Sequence, residues 1–129
     1  MTKRIGIVGT RFTELHSGKW LSELEKIINS LPPNTEVFVN GAPGTDQEAV
    51  RLATERGLKT TVLFSGSEFD NDPKFFMHRN STVIESTDEV YAIWDGLSPG
   101  TQHAIALAKR LGTPIHVINV LSEDWERFS

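Results

Sequence analysis

The hydrophobic positions of this chain alternate between two patterns. Five short runs are nearly continuous in Val, Ile and Phe, as in strands that are buried on both faces of a sheet. Between these runs the apolar residues recur every three or four positions, which predicts helices with one buried face. The predicted strands are 4–8, 36–40, 59–64, 89–94 and 115–120, and the predicted helices are 17–31, 45–56, 73–86 and 101–111.

Short-range signals mark several helix ends. Thr45 is predicted to be the N-cap of the second helix, and Glu48, three residues later, completes a capping box. Gly57 closes this helix in the way that C′ glycines do. Asp72 followed by Pro73 has the form of an N-cap with proline at the first helical position of the third helix.

The order of these elements predicts the fold. Strands that alternate with helices indicate an α/β fold with a five-stranded, mainly parallel sheet and helices on both faces. Right-handed crossovers favour the doubly wound strand order 3-2-1-4-5. In that order the chain reverses between strands one and four, and ligands bind at this switch point beyond the carboxyl ends of the strands. The loops expected there are 9–11 and 95–101, with 41–46 alongside.

Composition narrows the class of protein. The 129 residues are enough for one domain, 1–129, and no apolar run is long enough to span a bilayer. The chain has no cysteine, which excludes disulfides and thiolate chemistry, and the first residues lead straight into a strand, so we expect a cytoplasmic location. A net charge of −4 argues against a broad nucleic-acid footprint. The tail 122–129 is predicted to form a short helix docked by Trp125 and Phe128.

The segment 94–101 is the strongest candidate for binding chemistry. A β-prone run feeds a turn rich in Gly, Ser and Pro, and the turn feeds a helix at Thr101. This order places backbone N–H groups, the positive end of a helix dipole and two hydroxyl groups at one edge of the sheet, where they suit a phosphate. Ser98, Gly100 and Thr101 are the predicted ligands, with an ordinary N-cap role as the alternative for Thr101.

Two other glycine turns repeat the arrangement. Gly9-Thr10-Arg11 offers backbone amides and a guanidinium to a phosphate, or else forms a βα turn whose arginine pairs with a surface acid. Asp46 is a candidate for hydrogen bonds to ribose hydroxyls, or else a favourable charge on the helix dipole. The candidate residues of this second turn are Gly41, Gly44, Thr45 and Asp46.

The third helix adds two polar candidates. Asn80 shares the face of Phe76 and Val83, and a buried amide there needs hydrogen-bond partners, which favours a functional or loop-anchoring role. Arg79 is predicted to point to the rim as a phosphate ligand. Trp94 either stacks on a base or belongs to the core. The four histidines lack metal-ligand spacing, so we expect no metal and no other cofactor.

These segments together resemble a known family. Gly9-Thr10-Arg11, the segment 40–46, Arg79-Asn80 and the segment 98–101 are similar, in order and over nearly the whole chain, to the SLOG superfamily. That superfamily includes the DNA-processing protein Smf/DprA, the lonely-guy (LOG) phosphoribohydrolases and small stand-alone bacterial and phage proteins. The resemblance implies a Rossmann-like fold, a nucleotide-like ligand and a homodimer or higher homo-oligomer.

One departure separates this chain from the LOG enzymes. Their motif is close to Pro-Gly-Gly-x-Gly-Thr-x-x-Glu, but here the glutamate position falls at Ala104 and the segment 95–99 replaces Pro-Gly-Gly. The carboxylate that would stabilise a ribosyl cation or activate water is therefore missing. The stand-alone branch is the better match.

Three functions are consistent with these observations. The leading one is a module that binds a nucleotide or nucleotide-sugar derivative, such as an ADP-ribose-like or nucleoside monophosphate ligand, with Asp46 on the ribose. The second is an N-glycosidase or phosphoribohydrolase that uses Asp95 or Asp46 as its catalytic acid. The third is a single-stranded-DNA module, which the net charge of −4 disfavours. The predicted phosphate ligands are Arg11, Arg79, Gly100 and Thr101.

Overall fold

A computed structural model of the chain describes residues 3–9, 19–41, 44–63, 73–96 and 98–120. Its strands are β1 (Arg4–Gly9), β2 (Glu36–Val39), β3 (Lys59–Val62), β4 (Glu89–Trp94) and β5 (Ile115–Asn119). Its helices are α1 (Lys19–Ser30), α2 (Thr45–Glu55), α3 (Pro73–Ser86) and α4 (Pro99–Leu111). Strands and helices alternate along the chain, as predicted.

The five strands form one sheet with the order β3-β2-β1-β4-β5, and all four pairings are parallel. Both the predicted α/β fold and the predicted strand order are confirmed. The central pair runs in register from Ile5 opposite Glu89 to Gly9 opposite Ile93. The carboxyl ends of β1, β2 and β4, with the turns that follow them, form what we call the carboxyl edge of the sheet.

Apolar side chains fill both faces of the sheet. Along β1 they alternate, so that Ile7 packs on one face and Val8 on the other. The core under α1 and α2 includes Ile5, Ile7, Leu24, Ile28, Val37, Val39, Ala49, Ala53 and Ile93. The core under α3 and α4 includes Val8, Val83, Ile84, Val90, Ala92, Ala104, Ile105 and Ala108. Burial on both faces explains the apolar runs of the inner strands β1, β2 and β4, whereas the edge strands β3 and β5 are more exposed.

Two glycines of β1 let helices approach the sheet closely. A Cβ atom at Gly9 would lie 2.6 Å from Cγ2 of Thr45, and one at Gly6 would lie 3.0 Å from Cγ1 of Val83. Carbon atoms in contact are normally about 3.5–4.0 Å apart. A side chain at Gly9 therefore does not fit unless the first turn of α2 moves outward.

The start of α2 differs from the capping prediction. The N-cap is Gly44, at φ 82°, and Thr45 is the first residue inside the helix. Thr45 is fully buried, with its side chain against Gly9, so packing against β1 decides its position. The predicted capping box is wrong, and the Glu48 carboxylate instead accepts a hydrogen bond from Arg51 Nε at 2.8 Å.

The start of α4 also differs from its prediction. Ser98 is the N-cap and Pro99 is the first helical residue, so Thr101 lies within the first turn and its alternative role as the N-cap is wrong. Proline suits this position because its φ is fixed near the helical value and its missing N–H has no helical partner to lose. Gly57, at φ 75°, follows α2 as predicted.

The remaining differences concern element ends. β2, β3 and β5 end at Val39, Val62 and Asn119, one or two residues earlier than predicted, whereas β1 extends to Gly9. Several predicted features lie outside the described residues: Thr10, Arg11, Asp72 and the tail 122–129. Within the described part of the chain, no helix is long and apolar enough to cross a membrane.

Charged side chains cluster at the opposite, amino end of the sheet. Glu89 pairs with Lys3 Nζ at 2.8 Å through Oε2 and with His116 Nε2 at 2.6 Å through Oε1. The His116 ring stacks on Tyr91, with ring centroids 4.7 Å apart. The hydrogen bond from Lys3 is the main cause that lowers the pKa of the Glu89 carboxyl below its ordinary value of 4.5.

This lowered pKa predicts an acid dependence of stability. The Glu89 contribution is fully present above pH 4.5 and is lost as the pH falls through the lower pKa of the folded state. In urea unfolding followed against pH, Glu89→Gln should remove up to about 1 kcal/mol of stability at neutral pH and less in acid, the range of partly exposed ion pairs. Glu25→Gln, on the exposed surface of α1, is the control. An unchanged difference between wild type and Glu89→Gln from pH 7 to pH 3 would contradict this assignment.

The Gly9 contact gives a second prediction. Gly9→Ala should lower the free energy of unfolding by about 1–3 kcal/mol, because the added methyl group overlaps Thr45. Gly100→Ala is the matched control, since a Cβ atom there meets no atom within 4 Å. Urea denaturation of both variants measures the difference, and equal stabilities would show that α2 does not need the close approach.

Candidate functional site

Glycines shape the turns of the carboxyl edge. Gly41 and Gly44, between β2 and α2, have φ values of 99° and 82°, and Gly96, between β4 and α4, has a φ of 82°. Residues with a Cβ atom rarely adopt such backbone angles. Glycine therefore allows both turns to fold back sharply from strand to helix.

Asp46 fixes the turn between β2 and α2. Its Oδ2 atom accepts hydrogen bonds from the backbone N–H groups of Asn40 and Gly41, both at 3.1 Å. The residue is only 3% exposed, and its carboxylate also lies in the first turn of α2, where a negative charge complements the helix dipole. The structure thus gives Asp46 a role in holding the turn.

Asp95 fixes the turn between β4 and α4 in a similar way. Its Oδ1 accepts from Ser98 N at 2.7 Å, and its Oδ2 accepts from Ser98 Oγ at 2.9 Å. The indole Nε1 of the half-buried Trp94 donates to the Ser98 carbonyl at 3.1 Å. Ser98 is consequently held from three directions, which sets the position at which α4 begins.

A buried amide links the strand end to two helices. Asn80, on α3 and 6% exposed, accepts a hydrogen bond from Asn40 Nδ2 at 3.3 Å. Its own Nδ2 donates to the Gly100 carbonyl at 3.0 Å and lies 3.1 Å from His103 Nδ1. We call Asn40, Asn80, Gly100 and His103 the amide cluster. Asn80 thus has the partners that a buried amide requires.

The contact between Asn80 and His103 depends on the tautomer of the histidine ring. The Nδ2 group of Asn80 is a donor, so a hydrogen bond to His103 requires a lone pair on Nδ1. A hydrogen bond in this direction corresponds to the tautomer that carries its proton on Nε2. His103 lies near the start of α4.

Arg79 lies inside the molecule. It is 4% exposed, so the prediction that it points to the rim is wrong. It precedes Val83 by one helical turn, and Val83 packs over Gly6. Arg79 lies on α3 directly before Asn80, which belongs to the amide cluster.

The predicted site residues fall into three groups. Arg79 is buried on α3. Those that the structure places at the carboxyl edge are Gly9, Gly41, Gly44, Thr45, Asp46, Asn80, Asp95, Ser98, Gly100 and Thr101. Among them, direct hydrogen bonds join Asn80 to Gly100 and Asp95 to Ser98. Thr10 and Arg11 lie outside the described residues.

Two residues of the site were not predicted from the sequence. Asn40 is a polar residue directly after a buried strand, and this position was a usable signal. His103 follows Gly100 by three residues, which is nearly one helical turn, and nothing local distinguishes it from an exposed histidine. In the described ranges, no three His, Asp or Glu side chains come together as metal ligands.

The chain is similar to known proteins in structure but not in sequence. At the level of sequence, no protein-family model and no curated protein matches this chain. At the level of structure, the chain is similar to DNA processing protein A from Streptococcus pneumoniae, with a TM-score of 0.77 and 16% identity. The match covers 98% of this chain but only 56% of the length of that protein.

Two further structures show the same likeness. The molybdenum cofactor carrier protein from Chlamydomonas reinhardtii has a TM-score of 0.65 and 19% identity, over 99% of this chain and 82% of the other. DNA processing protein A from Helicobacter pylori, described for its single-stranded DNA binding mode, has a TM-score of 0.63 and 19% identity over 98% and 71% of the two chains. At 16–19% identity, these likenesses show that the chain shares the fold of these proteins.

The amide cluster predicts a stability effect. Asn80→Asp replaces the NH₂ group with a carboxylate oxygen that faces the Gly100 carbonyl, so two acceptors meet in a buried position. We expect a loss of about 1–3 kcal/mol in the free energy of unfolding. Asn29→Asp, on the exposed face of α1, is the control. Equal urea midpoints for the two variants would show that the Asn80 hydrogen bonds do not hold the edge together.

Proposed function

We propose that this protein binds a phosphate-bearing nucleotide or nucleotide-sugar derivative at the carboxyl edge of its sheet. The observation that carries the proposal is the first turn of α4, where Gly100 is tied to Asn80 and a Cβ atom would meet nothing within 4 Å. An open, side-chain-free backbone at the switch point of a doubly wound sheet is the place where such folds bind phosphates.

The N–H groups of this turn support a phosphate ligand. Ser98 is the N-cap but makes no side-chain cap hydrogen bond, because its hydroxyl is donated to Asp95. The first N–H groups of a helix have no intrahelical partner. In α4 these are the N–H groups of Gly100 and Thr101, since Pro99 has none and Gln102 N already bonds to Ser98 O.

Cationic side chains complete the proposed phosphate site. The chain as a whole carries a net charge of −4, so attraction for an anion must come from local groups. Arg79, which is buried on α3 next to Asn80 in sequence, is the first proposed cation, and Arg11, two residues after the last residue of β1, is the second. Arginine suits this role because its planar fork matches phosphate oxygens.

Binding is favoured over cleavage by the position of the acids. Both carboxylate oxygens of Asp95 accept from Ser98, and Asp46 holds two backbone N–H groups through one oxygen. Ala104, at the position of the LOG glutamate, is fully buried. An N-glycosidase needs a carboxylate placed against the anomeric carbon. Release of free base from nucleoside monophosphates or NAD-like compounds by the wild-type protein would reverse this choice.

A small-molecule ligand is also favoured over nucleic acid. One structural neighbour is a cofactor carrier and two are DNA processing proteins, so the fold accommodates both kinds of partner. The net charge of −4 opposes a long phosphate backbone, whose binding depends on many cations. A gel shift with single-stranded DNA that persists in moderate salt would favour the nucleic-acid alternative. A homo-oligomer stays a prediction that analytical ultracentrifugation tests.

The proposal predicts stabilisation by the correct ligand. A ligand at about a hundred times its dissociation constant should add roughly 2.7 kcal/mol to the free energy of unfolding. A thermal-shift screen with nucleoside monophosphates, ADP-ribose and inorganic phosphate measures this effect. No shift with any of these compounds at millimolar concentration would contradict the proposed function.

A substitution at Gly100 separates binding from folding. Gly100→Ala adds a methyl group in open space within a helix, so stability should stay the same or rise by up to about 1 kcal/mol. The same methyl group occupies the space above the phosphate-binding N–H groups, and affinity should fall about tenfold or more. Ala106→Ser, on the exposed face of α4, is the control. If calorimetric titration of Gly100→Ala shows unchanged affinity, the phosphate does not bind at the first turn of α4.

A further inference from the structure

The amide cluster contains an acceptor that has no donor. Asn40 is 8% exposed, and its Oδ1 atom is enclosed without a hydrogen-bond partner among the described residues. A buried acceptor that is left unsatisfied is costly, and native proteins rarely contain one without a reason. The residue follows β2 directly, so this acceptor belongs to the carboxyl edge.

The orientation of the Asn40 amide follows from its neighbours. The Gly100 carbonyl can only accept, so the group of Asn80 that lies 3.0 Å from it must be the NH₂ group. The oxygen of Asn80 then faces Asn40 at 3.3 Å, and only the NH₂ group of Asn40 can donate to it. The Oδ1 atom of Asn40 is therefore directed away from Asn80, and exchange of its oxygen and nitrogen would break the chain of hydrogen bonds.

A second buried oxygen without a partner shows what is particular to Asn40. Thr35 Oγ1, at 1% residue exposure, also lacks a hydrogen-bond partner among the described residues, but Thr35 precedes β2 and lies at the opposite, amino end of the strand. A hydroxyl rotates freely and is not held in one direction. Of these two oxygens, that of Asn40 belongs to a fixed amide at the carboxyl edge.

We propose that Asn40 Oδ1 accepts a hydrogen bond from a sugar hydroxyl of the ligand, and that the site is therefore selective for ribosyl phosphates over their deoxy forms. This inference rests on the proposed function, which places the phosphate on Gly100 and Thr101. One asparagine side chain, Asn80, separates Asn40 from Gly100. That short separation suits a phosphate and a sugar hydroxyl of the same molecule.

Asp46 holds the backbone of Asn40 in place and has a structural role in this arrangement. Its Oδ2 atom holds the N–H groups of Asn40 and Gly41, so the backbone from which the Asn40 side chain projects is fixed. Asp46 thus fixes the backbone of Asn40, and Asn80 fixes its side chain. The Oδ1 atom of Asn40 is the acceptor that the site offers to a hydroxyl group. This assignment moves the recognition of the sugar from Asp46, predicted from the sequence, to Asn40.

Calorimetric titration with matched nucleotides tests the inference. The probes are the four ribonucleoside 5′-monophosphates, their 2′-deoxy and 3′-deoxy counterparts, and ribose 5-phosphate. For wild type we expect one of the two deoxy forms to bind about tenfold more weakly than the parent nucleotide. Asn40→Leu should bind the parent and that deoxy form equally. Asn40→Asp keeps the acceptor oxygen and should retain the preference, although its second oxygen faces the oxygen of Asn80 and should lower the free energy of unfolding.

Thr35→Val provides the matched control, because it removes the buried oxygen that precedes β2 and should leave the preference unchanged. If Asn40→Leu does not fold, the ratios for wild type, Asn40→Asp and Thr35→Val still decide the question. Equal binding of parent and deoxy forms by wild type would assign Asn40 Oδ1 to an internal water or a donor of the chain and overturn this inference alone. A failure of every probe to bind would overturn the proposed function, and this inference with it.

Discussion

The hydrogen bond from Asn80 to the Gly100 carbonyl connects the parts of the carboxyl edge. Asn80 lies on α3, Gly100 on α4, and the other end of the same side chain receives Asn40 from the end of β2. One amide therefore joins α3 to two segments that lie 20 and 40 residues from Asn80 in the sequence. Because the side chains of Asn40 and Asn80 are buried, a broken bond leaves a polar atom without compensation. The amide of Asn80 thus ties the end of β2 to α3 and α4.

Close packing brings the helices to this unit. Gly9 admits Thr45 and so sets the depth of the first turn of α2, while Gly6 admits Val83 and sets the path of α3. In each case a glycine of β1 sets how closely a helix approaches the sheet. The same strand therefore contributes apolar side chains to the core on both faces of the sheet and glycines that let α2 and α3 pack close to it.

The fold was predictable because its evidence is local and repeated. Continuous apolar runs identified the strands, and the alternation of elements led to the observed order. Local rules failed where long-range contacts decide the outcome: Thr45 satisfies a capping pattern but is needed inside the core, and Arg79 is buried in spite of its charge. Asn40 and His103 were not found as site residues because their roles depend on Asn80, which is distant from both in sequence. The spacing of residues along the sequence does not indicate a hydrogen bond between residues so far apart.

The account depends on the direction of the hydrogen bonds in the amide cluster, and His103 reports that direction. If Asn80 donates through Nδ2, His103 Nδ1 must carry a lone pair and the ring proton must lie on Nε2. Long-range proton–nitrogen NMR of a ¹⁵N-histidine-labelled sample at neutral pH measures this tautomer directly. The account predicts an unprotonated Nδ1 and a protonated Nε2 for His103. A proton on Nδ1 would place two donors against each other and would contradict the proposed arrangement of the site.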